Sequence, residues 1–177
     1  MRVSRIEREL RDRFGPNVAG VDEVGRGPLA GPVVACAVVM PVGKRAIPGV
    51  EDSKVLPERA RDELAVRIRE AAVALGVGAA SVREIDTYNI YQATSLAIRR
   101  AVRRLGCAPD HVLLDGRPIK SLGMEHTAVV DGDAFCYAIA CASIVAKVTR
   151  DRLMRALAAR YPRYAWDRNV GYATAEH

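Results

Sequence analysis

Asn17-Val18-Ala19-Gly20-Val21-Asp22-Glu23-Val24-Gly25-Arg26-Gly27-Pro28-Leu29-Ala30-Gly31-Pro32-Val33-Val34-Ala35-Cys36-Ala37-Val38-Val39-Met40 is the stretch that decides the fold. Asn17 to Asp22 is a Val/Ala/Gly run that suits a buried strand, and the Gly-rich loop Gly25 to Gly31 follows at once. Val33 to Met40, apolar and β-branched, reads as a second strand. The first strand ends in two carboxylates, Asp22 and Glu23, which an apolar run does not accommodate without a partner.

Outward from this hairpin, Ser4 to Phe14 reads as a short charged helix broken by Gly15-Pro16. Pro41 to Pro48 holds turn residues and two cations, and Pro57 opens a helix at an N1-like position. Leu64, Ile68, Ala71 and Leu75 recur at helical spacing until Gly76, ahead of a weaker strand from Val77 to Val82. Asn89 to Leu105 is the next helix, with Ile90, Thr94, Ala97, Ala101 and Leu105 on one face. Arg99, Arg100, Arg103 and Arg104 crowd its other side, and Gly106 stops it. His111 to Asp115 and Glu125 to Val130 are short strands, and Asp131-Gly132-Asp133 turns the chain into a long Ala-rich helix reaching about Tyr161. The ββαβαββα-like order predicts a mixed α/β sheet with helices on its faces.

A chain of 177 residues, half of them hydrophobic, fits one domain, 1–177, and is not disordered; with 5% aromatic residues its core must be built from Ala, Val, Leu and Ile. Twenty-seven Lys and Arg against 21 Asp and Glu leave +6, which favours a polyanionic partner. Cys36, Cys107, Cys136 and Cys141 show no CxxC spacing, and three lie in apolar runs, so they read as reduced core residues and a zinc site is not expected. The charged start has no apolar signal region, and the longest nearly apolar run, Ala134 to Ala146, is too short to cross a bilayer. A soluble, cytoplasmic protein without membrane contact is expected, and, lacking a heptad pattern, a monomer.

Asp115 closes the apolar run Val112-Leu113-Leu114, as Asp22 and Glu23 close theirs. Were these strands neighbours, their ends would bring the acids together, and Asp133 at its turn could join them. Converging carboxylates repel unless a cation neutralises them, and Mg²⁺ or Mn²⁺ is the natural neutraliser for oxygen ligands. The plainer alternative is that each acid caps a helix or pairs with an Arg. The loop after Glu23 brings backbone amides and the Arg26 guanidinium toward any phosphate held there; it lacks the Lys and Ser/Thr of a P-loop and the Gly spacing of a dinucleotide fingerprint.

Lys147, Arg150, Arg152, Arg155, Arg160, Arg163 and Arg168 face only Asp151 and Asp167 in their stretch, with Tyr161, Tyr164, Trp166 and Tyr172 close by. Cations interleaved with rings suit a nucleic-acid backbone and a base or sugar to stack on; a solvated helix face with packed tyrosines is the alternative. His111, His126 and His177 are isolated, and the first two read as structural.

Taken together, these segments resemble ribonuclease HII, the type 2 ribonuclease H. The resemblance runs through Ala19 to Ala35, Asp52-Ser53-Lys54, Asn89-Ile90 with Gln92-Ala93-Thr94, Leu114-Asp115-Gly116, Gly132-Asp133, Ala142 to Asp151, and Asn169 to His177. It implies a ribonuclease H-like fold with a mixed five-stranded sheet flanked by helices. It further implies hydrolysis of the RNA strand of RNA/DNA hybrids, and cleavage on the 5′ side of ribonucleotides embedded in duplex DNA, leaving 3′-hydroxyl and 5′-phosphate ends. By the family's motifs, Asp22, Glu23, Asp115 and Asp133 match the carboxylates that hold two Mg²⁺ or Mn²⁺ ions. Gly25, Arg26 and Gly27 match the loop that senses the ribose 2′-hydroxyl, and Tyr172 the tyrosine that stacks on the following sugar. Lys54, Ser143 and Lys147 match positions that hold phosphates or support the carboxylates. A role in removing ribonucleotides from DNA follows.

Three departures stand out. Val170 and Ala173 replace the Lys and Gly usual around Tyr172, Cys141 replaces a common Ala, and the sequence stops at His177, where Thr174 is placed to cap another helix. The resemblance implies a further helix and a basic, proline-rich tail, so a shortened form is expected, with weaker substrate binding. Two rivals remain. Another two-metal nuclease of the superfamily would keep the acids but have no use for Gly25-Arg26-Gly27 with Tyr172, and a non-catalytic binding module would have no use for the acids.

Overall fold

The computed structural model describes residue 1 and residues 3–177. Its centre is a five-stranded mixed sheet in the order β3-β2-β1-β4-β5. Strand β1 (Val18–Val24) pairs antiparallel with β2 (Val33–Val39), with Asp22 opposite Cys36. β2 in turn pairs antiparallel with β3 (Ala74–Ala80). On the other side of β1, β4 (His111–Asp115) and β5 (His126–Val129) run parallel to it.

Strand side chains alternate between faces, so parity assigns each residue its neighbours. Ala19, Val21, Val33, Ala35, Ala37 and Val39 pack on α3 (Val82–Arg103) through Ala93, Ala97, Ile98 and Ala101. Cys36, Val38 and Met40 face α2 (Glu58–Ala71) and α5 (Tyr137–Ala158). Val18 and Leu113 meet Leu10 of α1 (Arg5–Phe14). Both faces of the central strands are therefore dry, and each large aliphatic side chain buried there contributes about 1.5–3 kcal/mol. Glycines let the layers close: a Cβ on Gly20 would lie 2.3 Å from the Ala138 carbonyl carbon, and one on Gly78 2.3 Å from the Ala97 oxygen.

Several boundaries differ from expectation, each for a local reason. A helical stretch, 82–88, precedes the one expected from Asn89, because Ser81 and Glu84 form a capping box. Asn89, at φ 68°, breaks the helix there and restarts it by accepting hydrogen bonds on Oδ1 from the N–H groups of Tyr91 and Gln92. The same capping box claims residues expected in the third strand, which lies earlier, at Ala74–Ala80. The helix opened by Pro57 ends at Ala71, with Pro57 at the N-cap position and not inside. The long helix after Asp133 is interrupted at Cys136, giving α4 (Gly132–Phe135) ahead of α5, and α5 stops at Ala158. A last short helix, α6, covers Trp166–Asn169.

His111 and His126 are structural. His111 stacks on Phe14 at 4.1 Å and pairs with Thr127, while His126 Nε2 accepts from the Ile119 N–H and its Nδ1 faces the Met124 carbonyl. Cys36, Cys136 and Cys141 are buried free thiols, and Cys107 is exposed. No helix among the described residues is long and apolar enough to cross a membrane.

Candidate active site

The parallel pairing of β1 with β4 ends at Val21 beside Leu114, so Asp22 and Asp115, one residue on, lie side by side where the two strands part; Asp115 closes β4, whereas β1 does not end at the acids as expected but runs on against β2 to Val24. A cleft of about 500 Å³ opens over these ends. Parity turns Asp22 toward α5 and Glu23 toward the α3 side. Asp133 enters from α4, where its N–H donates to Asp115 Oδ1 at 3.3 Å.

Asp22 is buried, and its Oδ1 accepts the Glu23 N–H at 2.7 Å. Burial, and then the charges of Glu23 and Asp115, push its carboxyl well above the ordinary carboxylate range, while the Ser143 hydroxyl acts in the opposite direction. Burial likewise raises Glu23, against the pull of the Arg26 guanidinium 3.3 Å away. Asp115 is raised by burial and by Asp133. Lys54 answers this accumulation of acid: its ammonium lies 2.8 Å from Asp133 Oδ2, and that bond raises the lysine above its usual value.

Arg26, Gly27, Lys54, Ser143, Lys147 and Tyr172 line the cleft together with Asp22, Glu23 and Asp115. Gly25 lies beneath it, buried, with φ +106° and its Cα hemmed in by the Pro32 carbonyl. Gly27 differs: no positive φ is required of it, and a Cβ there would meet nothing within 4 Å. Lys147 is turned inward, to Asp151 at 2.8 Å, and its ammonium sits 5.1 Å from the centre of the Tyr172 ring. Among the described residues no three His, Cys, Asp or Glu side chains close round a common point, in keeping with acids that face different sides and an Asp133 turned to Lys54.

Sequence reasoning did not single out Ser53, whose hydroxyl is 2.8 Å from that of Ser143 in a buried pair behind Asp22. It also placed Arg150 on the surface with the other cations after Lys147. Arg150 is fully buried, and three others of that group are paired with acids: Arg152 with Asp62, Arg155 with Glu58 and Arg168 with Glu176. The acids that pair with Arg152 and Arg155 come from α2, some ninety residues earlier, so no local pattern marks them.

Against known proteins, residues 19–177 match the family described as Ribonuclease HII. The chain belongs to the ribonuclease HII family. Ribonuclease HII of Thermosynechococcus vestitus is 56% identical over 162 residues, spanning 90% of this chain and 75% of that one. The crystal structure of the ribonuclease H2 from Pyrococcus horikoshii OT3 superposes with a TM-score of 0.73 at 30% identity, over 89% of this chain and 81% of the other. Ribonuclease HII in the PCNA complex from Archaeoglobus fulgidus gives 0.70 at 26%, over 88% and 81%. The enzyme is thus a ribonuclease H, an endonuclease, and its sheet is the five-stranded mixed sheet of that family.

Proposed function

We propose that Asp22, Glu23, Asp115 and Asp133 hold two divalent cations, Mg²⁺ or Mn²⁺, and that the enzyme cuts the RNA strand of RNA/DNA hybrids and the 5′ side of a ribonucleotide embedded in duplex DNA. The observation that carries this reading is the convergence of three carboxylates with raised proton affinity on one cleft whose rim is Arg26, Gly27 and Tyr172.

The donor set fits such ions: every candidate ligand is a carboxylate oxygen, the type hard divalent cations prefer. Bound there, they would supply an activated water and charge stabilisation at the leaving 3′-oxygen. The chain's own residues do the rest. Ser143, backed by Ser53, orients Asp22. Lys54, its side chain 72% exposed, neutralises Asp133 and is free to move to a phosphate. Gly27 leaves open the space that a ribose needs for close approach, and Arg26 reaches over it from Glu23. Tyr172 presents a ring, supported by Lys147, to the next sugar. The whole site comes from one copy of one domain, 1–177, consistent with a monomer acting on nucleic acid in the cytoplasm.

The test is cleavage of a labelled DNA duplex carrying one ribonucleotide, with Mg²⁺, Mn²⁺ or EDTA, beside the Asp22→Asn variant. A metal-dependent cut on the 5′ side of the ribonucleotide, absent from all-DNA duplex and from the variant, is expected. Cleavage that persists in EDTA or in Asp22→Asn, or that ignores the 2′-hydroxyl, would overturn the reading.

A further inference from the structure

The Arg150 side chain is fully buried, yet among the described residues it forms no ion pair. Its guanidinium spends its donors on three backbone carbonyls: Nε on Pro32 O at 3.0 Å, Nη2 on Ala30 O at 2.8 Å, and Nη1 on Val170 O at 2.8 Å. Two of these belong to the loop that follows β1 and the third to the segment before Tyr172. The segments also join directly, since the N–H groups of Leu29 and Ala30 both donate to Gly171 O, at 2.9 and 3.3 Å.

Burying a charge without a counter-ion is costly, and an apolar contact would fasten two loops without that cost. What a guanidinium adds is a rigid plane of donors that fixes several acceptors at set directions. The surroundings are cut to it. A Cβ on Gly25 would lie 2.7 Å from Arg150 Nε, and one on Gly31 3.1 Å from Nη2. Val170 sits at φ 43°, a left-handed conformation unfavourable for a β-branched residue, with its carbonyl held by Arg150. The Arg150 guanidinium also lies 5.8 Å from the centre of the Tyr172 ring.

We infer that Arg150 is a positioning residue that locks the Gly25–Gly31 loop and the Tyr172 segment into one rigid unit, so that 2′-hydroxyl sensing and sugar stacking register on the same junction. This rests on the roles proposed above for that loop and for Tyr172. Misplacing either element by about an ångström is enough to cost a reaction ten- to a hundredfold, and the loss falls on substrates that need both.

The experiment compares kcat/KM on a duplex with a single ribonucleotide and on a continuous RNA/DNA hybrid for wild type, Arg150→Lys, Tyr172→Ala and the double variant. Arg150→Lys is expected to lower activity on the single-ribonucleotide duplex by about tenfold or more while the hybrid changes by less than about threefold. The double variant is expected to lose clearly less than the product of the two single losses, because Arg150 and Tyr172 act as one unit. Equal losses on both substrates, or additive losses in the double variant, would reduce Arg150 to general stabilisation and overturn the inference. A Tyr172→Ala variant with unchanged substrate preference would overturn the underlying reading as well. Should Arg150→Lys not fold, Gly171→Ala drives a Cβ to 2.5 Å from Ala30 O and parts the segments with Arg150 intact; the same selective loss is expected, and an unselective one sinks the idea.

Discussion

The Glu7 carboxylate accepts the backbone N–H of Tyr137 at 3.0 Å across 130 residues of sequence, and that of Ala138 at 2.9 Å. The same carboxylate takes the Ser4 N–H and hydroxyl, so one fully buried side chain caps α1 and α5 together. Helix α5 carries Ser143, Lys147 and Arg150, and its first turn is thus fixed by an acid from the opposite end of the chain. Replacing Glu7 by Ala strands these donors in the interior and is expected to cost about 3 kcal/mol. Urea unfolding at unchanged m-value measures it; a loss below about 1 kcal/mol would show that water satisfies the helix instead.

Asp22→Asn should separate catalysis from folding. Removing one of several buried like charges is expected to leave the metal-free protein as stable as wild type or more so, while cleavage falls at least about a hundredfold. Thermal melts with and without Mn²⁺ make the check: the ion raises the melting temperature of wild type by mass action and has little effect on the variant. An undiminished Mn²⁺ shift in Asp22→Asn would place the ions elsewhere.

Gly25 and Gly27, two residues apart, should respond in opposite ways to alanine. Gly25→Ala meets a positive φ and a Pro32 oxygen 2.4 Å away, and is expected to destabilise by roughly 1–3 kcal/mol or more. Gly27→Ala meets no protein atom, so its melting temperature should match wild type while activity on ribonucleotide-containing duplex drops. Activity intact in Gly27→Ala would mean that no substrate atom comes close there.

Glu84 offers a pH test remote from the cleft. Arg100 first, then the Ser81 N–H and hydroxyl, hold its carboxyl down from 4.5 to about 2. A carboxylate with a lowered value favours the fold when ionised, so its contribution is complete above about pH 4.5 and disappears as the pH falls toward 2. Wild type and Glu84→Gln should therefore differ in stability at pH 7 and converge near pH 2. A gap independent of pH would assign the effect to packing of the side chain and not to its charge.

Much of this molecule is legible in the sequence because strand ends are marked chemically. Val18 to Val21 and Val112 to Leu114 are apolar without break, so a carboxylate at the close of each run announces the site, although β1 itself continues past Asp22 to Val24. The mixed character of the sheet follows from the interleaving of strands and helices, whereas its strand order, β3-β2-β1-β4-β5, does not. Illegible are features made by distant partners. Glu7 reads as one more acid in a short charged helix, and nothing nearby predicts Tyr137 above it. Arg150 looks like one more cation on a basic helix, since its acceptors are carbonyls, which no side-chain pattern records. Asn89 misleads for a local reason: its side chain caps the second half of α3 so well that it hides the first half.

Gly20 has a consequence for how the enzyme can vary. With Val18, Ala19, Val21 and the two β2 faces all apolar, hydrophobicity alone does not penalise a one-residue slip of β1. The collision that any side chain at the Gly20 position would make with Ala138 does. A single-codon insertion or deletion before Asp22 would slide a Val or Ala into that contact and exchange the directions of Asp22 and Glu23 in the same stroke. What fixes the length of this strand is thus neither its charge nor its hydrophobicity, and the ruler is a missing methyl group.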